Sequence, residues 1–258
     1  DPACGSGHML TYAFDLLYAI YEEEGYEPSD IPAKILTHNL YGIEVDERAG
    51  ELAAFALTMK ARAKQRRFFR KPVQPNVVVL QNVTFTEAEM HDVASLVGKD
   101  LFTDELRETL GQFEQAKNFG SLILPQLSNA AELLRVVDDQ GPGDDLLQRE
   151  VQARLLTVLK MVEALSPKYH VVVANPPYMG TKGMNDSLSS WLKETYPNYK
   201  SDLFAAFVPR CSLLGAPLAR IGIMSPHVWM FISSHERLRA FITEDTTLTN
   251  VVELPLTG

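Results

Sequence analysis

The stretch Tyr169-His170-Val171-Val172-Val173-Ala174-Asn175-Pro176-Pro177-Tyr178 joins an apolar, β-branched run to a polar loop that contains two prolines. The run predicts a buried strand at residues 170–174, because β-branched side chains pack well on a pleated surface. The prolines fix the backbone of the loop and leave its carbonyl oxygens free to accept hydrogen bonds. Asn175 adds an amide oxygen and Tyr178 a flat aromatic ring, so the loop suits an exocyclic amine on a planar base.

Two further segments carry ligand-binding chemistry. Asp1-Pro2-Ala3-Cys4-Gly5-Ser6-Gly7-His8 opens the chain, and its two glycines permit a tight turn close to a ligand. The helix predicted to follow, as far as about Glu24, points its N–H groups and its positive dipole end at that ligand. Tyr41-Gly42-Ile43-Glu44-Val45-Asp46 ends a predicted strand with a carboxylate, which can accept hydrogen bonds from both hydroxyls of a ribose.

Short strands alternate with helices along the chain. The apolar patterns predict strands at residues 40–45, 77–80, 170–174, 220–224 and 248–254, and helices at residues 48–69, 202–214 and 233–242. From about residue 86 to 165 the pattern is helical and polar, with a break at residues 138–145. Such alternation predicts an α/β fold with a mostly parallel sheet covered on both faces, whose ligands lie beyond the carboxyl ends of the strands. A glycine-rich loop of this kind follows a buried strand, yet here it begins at residue 1. We therefore expect the first strand to be truncated and the chain to be an internal fragment.

Composition narrows the classes of function. The chain has 258 residues, of which 46% are hydrophobic and 22% charged, as in an ordinary globular protein. No apolar run approaches the roughly 20 residues of a membrane span, so we expect no membrane association. The two cysteines form no C-x-x-C pair, which argues against a disulfide framework or a zinc site and favours a cytoplasmic location. The net charge of −9 argues against tight DNA binding by these residues.

The order of the three segments resembles that of the gamma group of N6-adenine DNA methyltransferases. These enzymes use S-adenosylmethionine and carry the cofactor loop before the Asn-Pro-Pro-Tyr loop. The first segment, together with Phe119-Gly120-Ser121-Leu122-Ile123, is most similar to the PglX methyltransferases of BREX phage-defence systems. The resemblance implies an α/β, Rossmann-like, doubly wound methyltransferase sheet with a helical insertion. It divides the chain into a cofactor-binding half (1–85), the insertion (86–165) and a catalytic half (166–258).

For the cofactor site, the resemblance implies contacts with S-adenosylmethionine from Asp1, Pro2, Ala3, Gly5 and Gly7. These residues are expected against its methionine part, with Asp1 near the ammonium group, and Glu44 is expected at the ribose. Asn82 follows the strand predicted at residues 77–80, at a position where relatives usually carry an acidic residue that contacts the adenine amino group of the cofactor. Its amide oxygen can accept the same hydrogen bond without a charge.

For the catalytic loop, the resemblance implies that the Asn175 side-chain oxygen and the Pro176 carbonyl hold the target amine. Pro177 completes the motif, and Tyr178 stacks on the flipped base. The two acceptors stabilise the positive charge that forms as the nitrogen attacks the methyl group directly, so no metal is expected. Asn198-Tyr199-Lys200-Ser201-Asp202-Leu203-Phe204 follows. This segment either helps to close the pocket or begins the next helix, with Ser201 or Asp202 as its cap.

The resemblance also implies partners. Double-stranded DNA is expected to bind through regions largely outside these residues, and other defence-system proteins are further expected partners; the implied role is self-marking of host DNA. Three alternatives stay open. The chain could be the methyltransferase part of a restriction–modification enzyme, or a protein glutamine methyltransferase with the same tetrapeptide. It could also be a subunit that binds cofactor or DNA without turnover.

Overall fold

The computed structural model describes residues 1–98, 100–141, 146–166 and 168–254. The chain divides into two compact units, Asp1–Ser166 and Pro167–Gly258. Each unit contains a two-stranded parallel sheet together with helices. The predicted α/β class with parallel strands is confirmed at this level. The residues predicted as a helical insertion belong to the first unit.

The sheet of the first unit pairs β1 (Tyr41–Glu44) with β2 (Asn76–Val79) in parallel, with Glu44 opposite Val79. Because the strands are parallel, their carboxyl ends lie at the same edge. The helices described in this unit are α1 (His8–Glu23), α2 (Ile31–Lys34), α3 (Glu47–Lys64), α4 (Glu87–Val97), α5 (Asp104–Gln112), α6 (Ala116–Phe119), α7 (Ala130–Asp139) and α8 (Leu146–Ala164). Short 3-10 and π turns lie at Ile35–Asn39, Phe68–Arg70, Phe113–Gln115 and Gly120–Leu122.

Helices α1 and α3 pack against each other and form the core beside the strands. Phe14, Ile35, Leu57 and Phe68 are each at most 2% exposed in this cluster. Helix α3 starts beside β1, where the carboxylate of Asp46 accepts a hydrogen bond from the N–H of Ala49 (2.9 Å). It ends at Lys64 and not at the predicted residue 69, because the backbone becomes extended after it and carries the Phe68 ring into the core.

The region predicted to be helical from residue 86 to 165 does contain helices α4 to α8. Thr86 and Glu89 form a capping box at the start of α4: the Thr86 hydroxyl accepts from the Glu89 N–H (3.3 Å), and the Glu89 carboxylate accepts from the Thr86 N–H (2.7 Å). Helix α7 continues through Asp139, so the predicted break begins later than expected. Residues 142–145 of that break lie outside the described residues.

The sheet of the second unit pairs β3 (Tyr169–Ala174) with β4 (Gly215–Ile223) in parallel. The register shifts between Tyr169, opposite Gly215, and Val171, opposite Arg220. The helices described in this unit are α9 (Asp186–Thr195), α10 (Leu203–Leu214) and α11 (Glu236–Ala240), with short turns at Thr181–Gly183, His227–Met230, Ser233–His235 and Phe241–Asp245. Helix α10 is largely buried and packs against both strands, so it fixes the sheet beneath the loop that follows β3.

Two predicted elements of the second unit are wrong. Residues 248–254 form no strand, and the side chains of Val252 and Leu254 are 77% and 64% exposed. Among the described residues no neighbouring strand pairs with them, so their backbone groups gain nothing from an extended ladder. The helix predicted at residues 233–242 is wrong in its bounds: the α-helical part is only α11, between a 3-10 turn at Ser233–His235 and a π turn at Phe241–Asp245. His235, just before α11, is only 4% exposed.

Candidate active site

Residues 1–7, here called the glycine loop, start alongside β1. Asp1 N donates to the Tyr41 carbonyl (2.9 Å), Ile43 N donates to the Asp1 carbonyl (2.9 Å), and Cys4 N donates to the Ile43 carbonyl (3.0 Å). The Asp1 carboxylate also accepts from Ala3 N (3.0 Å) and so fixes the first turn. These bonds bring the loop to the carboxyl end of β1, which is the edge where the prediction places the cofactor.

Glu44 at the end of β1 holds this loop in place. One carboxylate oxygen accepts from Gly5 N (2.7 Å), and the other accepts from Val45 N (2.9 Å) and Asp46 N (3.0 Å). An ionised carboxylate has about four acceptor positions. The backbone therefore occupies three of them, and one stays available for a ligand hydroxyl. Sequence reasoning expected the ribose role alone and missed the structural one.

The two glycines of the loop differ in what surrounds them. Gly5 has φ +52°, and a Cβ added there would meet no atom within 4 Å, so open space lies over this part of the loop. Gly7 has φ +83°, and an added Cβ would lie 2.9 Å from the Cβ of Ala53 in α3. Gly7 therefore allows the first turn of α1 to pack against α3, whereas Gly5 leaves room for a ligand. Among the described residues, no side chain hydrogen-bonds to the N-terminus of α1, and its first turn contains no acidic residue.

Cys4 is a packing residue of the glycine loop. Its side chain is 6% exposed. Burial raises the pKa of its thiol to about 11, and the negative charge of Glu44 adds to that increase. The thiol is therefore protonated at neutral pH and is unsuited to act as a nucleophile.

Asn82 lies beyond the end of β2 and is already engaged by the protein. Its side-chain oxygen accepts a hydrogen bond from the N–H of Lys117 in α6 (2.8 Å). The next residue, Val83, donates its N–H to the carbonyl of Phe113 (3.0 Å). The structure thus brings the glycine loop, Glu44 and Asn82 to one edge of the first unit, and a segment of the predicted insertion joins them there. Residues 119–123 of that segment carried part of the resemblance, but sequence spacing could not predict its contacts, because they are distant along the chain.

The loop after β3, residues 175–178, presents two of its polar groups to solvent. Asn175 and Tyr178 are exposed, whereas Pro176 is buried and Pro177 is exposed. The Tyr178 hydroxyl donates to the Asn175 side-chain oxygen (3.1 Å), which orients the amide. The amide oxygen has a second lone pair for a ligand amine. The side chains that the tetrapeptide predicts for an amine site therefore lie on one exposed loop.

Asp202 ties this loop to the start of α10. Its carboxylate accepts from Met179 N (3.0 Å) and from Phe204 N (3.3 Å), so one side chain caps the helix and holds the loop. Leu203 N donates to the Met179 carbonyl (3.0 Å), and Gly180 pairs with Asp202 in an isolated bridge. Of the two alternatives considered for this segment, the helix start is observed, with Asp202 as its cap. Closure of the pocket by this segment stays a prediction.

Aromatic packing continues inward from Tyr178. Its ring meets the ring of Phe204 edge to face, with centroids 6.2 Å apart, and Phe204 lies 5.2 Å from the ring of His235. The Ser201 hydroxyl lies 3.3 Å from Nδ1 of His235. Burial lowers the pKa of His235 from its ordinary value; the nearby charge of Asp202 opposes this shift and that of Arg239 adds to it. His235, in its neutral form, therefore packs against the Phe204 ring, and Phe204 in turn packs against Tyr178. Single-sequence reasoning had no signal for this role.

Over residues 1–98, 100–141, 146–166 and 168–254, no group of three His, Cys, Asp or Glu side chains is arranged to hold a metal ion. The helices within those same ranges include none with the length and apolar character that crossing a membrane requires.

Comparison with known sequences identifies the family. The sequence model of the Eco57I restriction-modification methylases matches residues 38–257 of this chain. The chain belongs to this family. The match includes Glu44, Asn82 and the loop at residues 175–178, and it begins after the glycine loop.

Relatives of this Eco57I-family chain are much longer proteins. It is 38% identical to the adenine-specific methyltransferase BrxX of Escherichia coli O9:H4 (strain HS), across 98% of this chain and 23% of BrxX. It is 36% identical to the adenine-specific methyltransferase PglX of Lacticaseibacillus casei (strain Zhang), across 93% of this chain and 20% of PglX. It is 22% identical to the Type II restriction enzyme and methyltransferase RM.Eco57I of Escherichia coli, across 98% of this chain and 22% of that protein. The predicted resemblance to PglX-type methyltransferases is confirmed.

Proposed function

We propose that this chain is the catalytic part of an enzyme that transfers a methyl group from S-adenosylmethionine to the N6 amino group of adenine in DNA. The observation that carries the proposal is the loop at residues 175–178. It follows a strand, it exposes an amide oxygen beside an aromatic ring, and Asp202 holds it rigid. Membership of the Eco57I family and similarity to two adenine-specific methyltransferases support the same chemistry.

The first unit fits S-adenosylmethionine. The open space over Gly5 and the uncapped N-terminus of α1 leave room and N–H donors for a charged ligand. Asp1, Pro2 and Ala3 would lie along its methionine part, and the free acceptor position of Glu44 would take a ribose hydroxyl. Asn82 would use the second lone pair of its amide oxygen for the cofactor's adenine. We propose that the parallel pair β1–β2, with α1 and α3, is the cofactor half of a Rossmann-like methyltransferase fold.

The chain's own residues account for activation of the target amine. S-adenosylmethionine, when bound, supplies an electrophilic methyl group. The Asn175 side-chain oxygen and the Pro176 carbonyl accept the two hydrogens of the adenine amine, so the nitrogen lone pair is withdrawn from the ring and the developing positive charge is stabilised. As the nitrogen bonds to the methyl carbon, the carbon–sulfur bond would break with its electron pair left on sulfur, S-adenosylhomocysteine would leave, and the amine would lose one proton to solvent. Tyr178 stacks on the flipped base and recovers roughly 1–3 kcal/mol of the cost of unstacking it.

The biological setting is part of the proposal. Similarity to PglX and BrxX supports self-marking of host DNA in a phage-defence system, with other proteins of that system as partners and the cytoplasm as the location. The chain also resembles RM.Eco57I, which supports a second candidate with the same chemistry, the methyltransferase part of a restriction–modification enzyme. Contacts that read the DNA sequence would lie largely outside these residues.

A labelled methyl-transfer assay with the full-length protein tests the proposal. We expect label from S-adenosylmethionine to enter duplex DNA at adenine N6, as read by digestion and nucleoside analysis. Asn175→Ala should abolish transfer and leave cofactor affinity, measured by calorimetry, nearly unchanged. Asn250→Ala is the matched control, because that exposed asparagine lies outside the helices and strands. Full activity of Asn175→Ala would refute the role of the loop, and label in a glutamine side chain would favour the protein-methyltransferase alternative.

A further inference from the structure

A short segment of the insertion, residues 116–122, makes contacts around the proposed cofactor site; we call it the cover segment. It comprises α6 and the turn Gly120–Leu122. At one end, Lys117 N donates to the Asn82 side-chain oxygen (2.8 Å). At the other end, the Ser121 hydroxyl donates to the carbonyl of Pro2 in the glycine loop. The segment therefore joins the glycine loop to the end of β2.

Ser121 makes this contact from a buried position and not from the protein surface. Its residue is 2% exposed, so the hydroxyl cannot exchange its protein partner for bulk water without cost. The bond to Pro2 spans 119 positions of sequence, which couples the insertion directly to the loop that is proposed to bind the methionine part. A serine that only filled space in the insertion would not need an acceptor in that loop.

The backbone at Gly120 makes the contact possible. Gly120 has φ 58° and ψ −149°, a conformation that residues with a side chain rarely adopt. A Cβ at this position would also lie 3.4 Å from a methyl group of Val45, which follows β1. The chain thus turns tightly against the end of β1 and delivers Ser121 to the glycine loop. Glycine adopts this conformation without the steric cost that a side chain would impose.

We propose that the cover segment is a wall of the cofactor site and that Ser121 is a positioning residue for S-adenosylmethionine. This inference rests on the proposed function and deepens it. Ser121 fixes Pro2, and through it the turn that ends at Gly5; Lys117 fixes the amide of Asn82. The insertion therefore sets the geometry of both ends of the site, although neither Ser121 nor Lys117 takes part in the transfer itself.

Calorimetric titration of the full-length protein with S-adenosylmethionine is the first test. Ser121→Ala should weaken binding roughly threefold to tenfold, which is the change in affinity that corresponds to the loss of one ordinary hydrogen bond. The KM for the cofactor should rise by a similar factor while kcat at saturating cofactor stays unchanged. Ser121→Thr, which keeps the hydroxyl, should restore part of the affinity. The matched control is Ser95→Ala, because Ser95 lies in the same insertion, is exposed and donates its hydroxyl to the His91 carbonyl within α4.

Hydrogen exchange of the wild-type protein is the second test and needs no variant. Adding S-adenosylmethionine should slow exchange in a peptide that covers residues 116–122 and leave a peptide from α9 unchanged. The inference is overturned if folded Ser121→Ala binds the cofactor as tightly as wild type, or if exchange in the cover segment does not change. If the wild-type protein binds no S-adenosylmethionine at all, the proposed function itself fails.

Discussion

At the scale of single residues, two carboxylates hold the two proposed functional loops. Glu44 accepts from Gly5 N in the glycine loop, and Asp202 accepts from Met179 N after the loop at residues 175–178. In both cases a charged acceptor binds backbone N–H groups, which makes each hydrogen bond stronger than one between neutral groups. The loops are therefore fixed by side chains that lie outside the motifs that suggested them.

Asp202→Ala should lower kcat for methyl transfer about tenfold to a hundredfold. The variant removes two hydrogen bonds to a carboxylate and so loosens the loop that is proposed to hold the amine. The expected loss of rate corresponds to about 1.4–2.7 kcal/mol of transition-state stabilisation. Steady-state kinetics with duplex DNA measures the effect, and calorimetry should show unchanged cofactor affinity. Asp202→Asn keeps an acceptor oxygen and should recover part of the rate. Asp186→Ala, at an exposed aspartate that begins α9, is the control; an equal loss of rate there would contradict the assignment.

At the scale of elements, the start of α4 is joined to α8 by charge. Arg154 of α8 donates to the Glu89 carboxylate and, through its other terminal nitrogen, to the carbonyl of Thr84 (2.8 Å). The hydrogen bond from Arg154, followed by the one from the Thr86 backbone, lowers the pKa of Glu89 to about 2 from its ordinary value of 4.5. The ionised form of Glu89 is therefore bound more favourably in the folded protein than in the unfolded chain.

Glu89→Gln should separate this charge effect from the capping box, which glutamine can also complete. Because the folded pKa is depressed, the stabilisation is present above pH 4.5 and is lost as pH falls toward about 2. We expect wild type to exceed Glu89→Gln in unfolding free energy by less than about 1 kcal/mol at pH 7, since the pair is partly exposed. The difference should vanish near pH 2. Urea unfolding at pH 7, 4 and 2.5 measures it, and a constant difference would be evidence against the pair.

Prediction from the sequence succeeded for elements that local patterns define. It failed where an element depends on a packing or pairing partner that is distant along the chain. The strand predicted at residues 170–174 is present and α10 packs against it, although Val171, predicted to be buried, is 61% exposed. Residues 248–254 have a similar apolar pattern but no partner strand among the described residues, and a pattern alone cannot supply one. In the candidate site, the glycine loop and the Asn-Pro-Pro-Tyr loop were recognisable because each is a contiguous sequence motif. The bond from Ser121 to Pro2 was not, because no local periodicity links positions 119 residues apart.

At the scale of the whole molecule, the charge of −9 predicts weak binding of DNA by these 258 residues. The most basic stretch, residues 60–71, is partly engaged within the protein: Lys60 pairs with Asp15, and the Lys64 ammonium lies 4.1 Å from the centre of the Tyr18 ring. These two lysines are therefore less available to neutralise DNA phosphates. Fluorescence anisotropy with a labelled duplex at physiological salt should give a Kd no tighter than the nonspecific range of about 10⁻⁶–10⁻⁴ M. Nanomolar affinity would contradict the expectation that other regions bind DNA.

The hydrogen bond from the Ser121 hydroxyl to the Pro2 carbonyl also limits how these proteins can be engineered. A chimera that exchanges residues 86–165 between two homologues would also exchange the cover segment, and with it one wall of the proposed cofactor site. Chimeras that keep the native cover segment should preserve cofactor use. Chimeras that replace it should alter turnover even when every motif residue is retained.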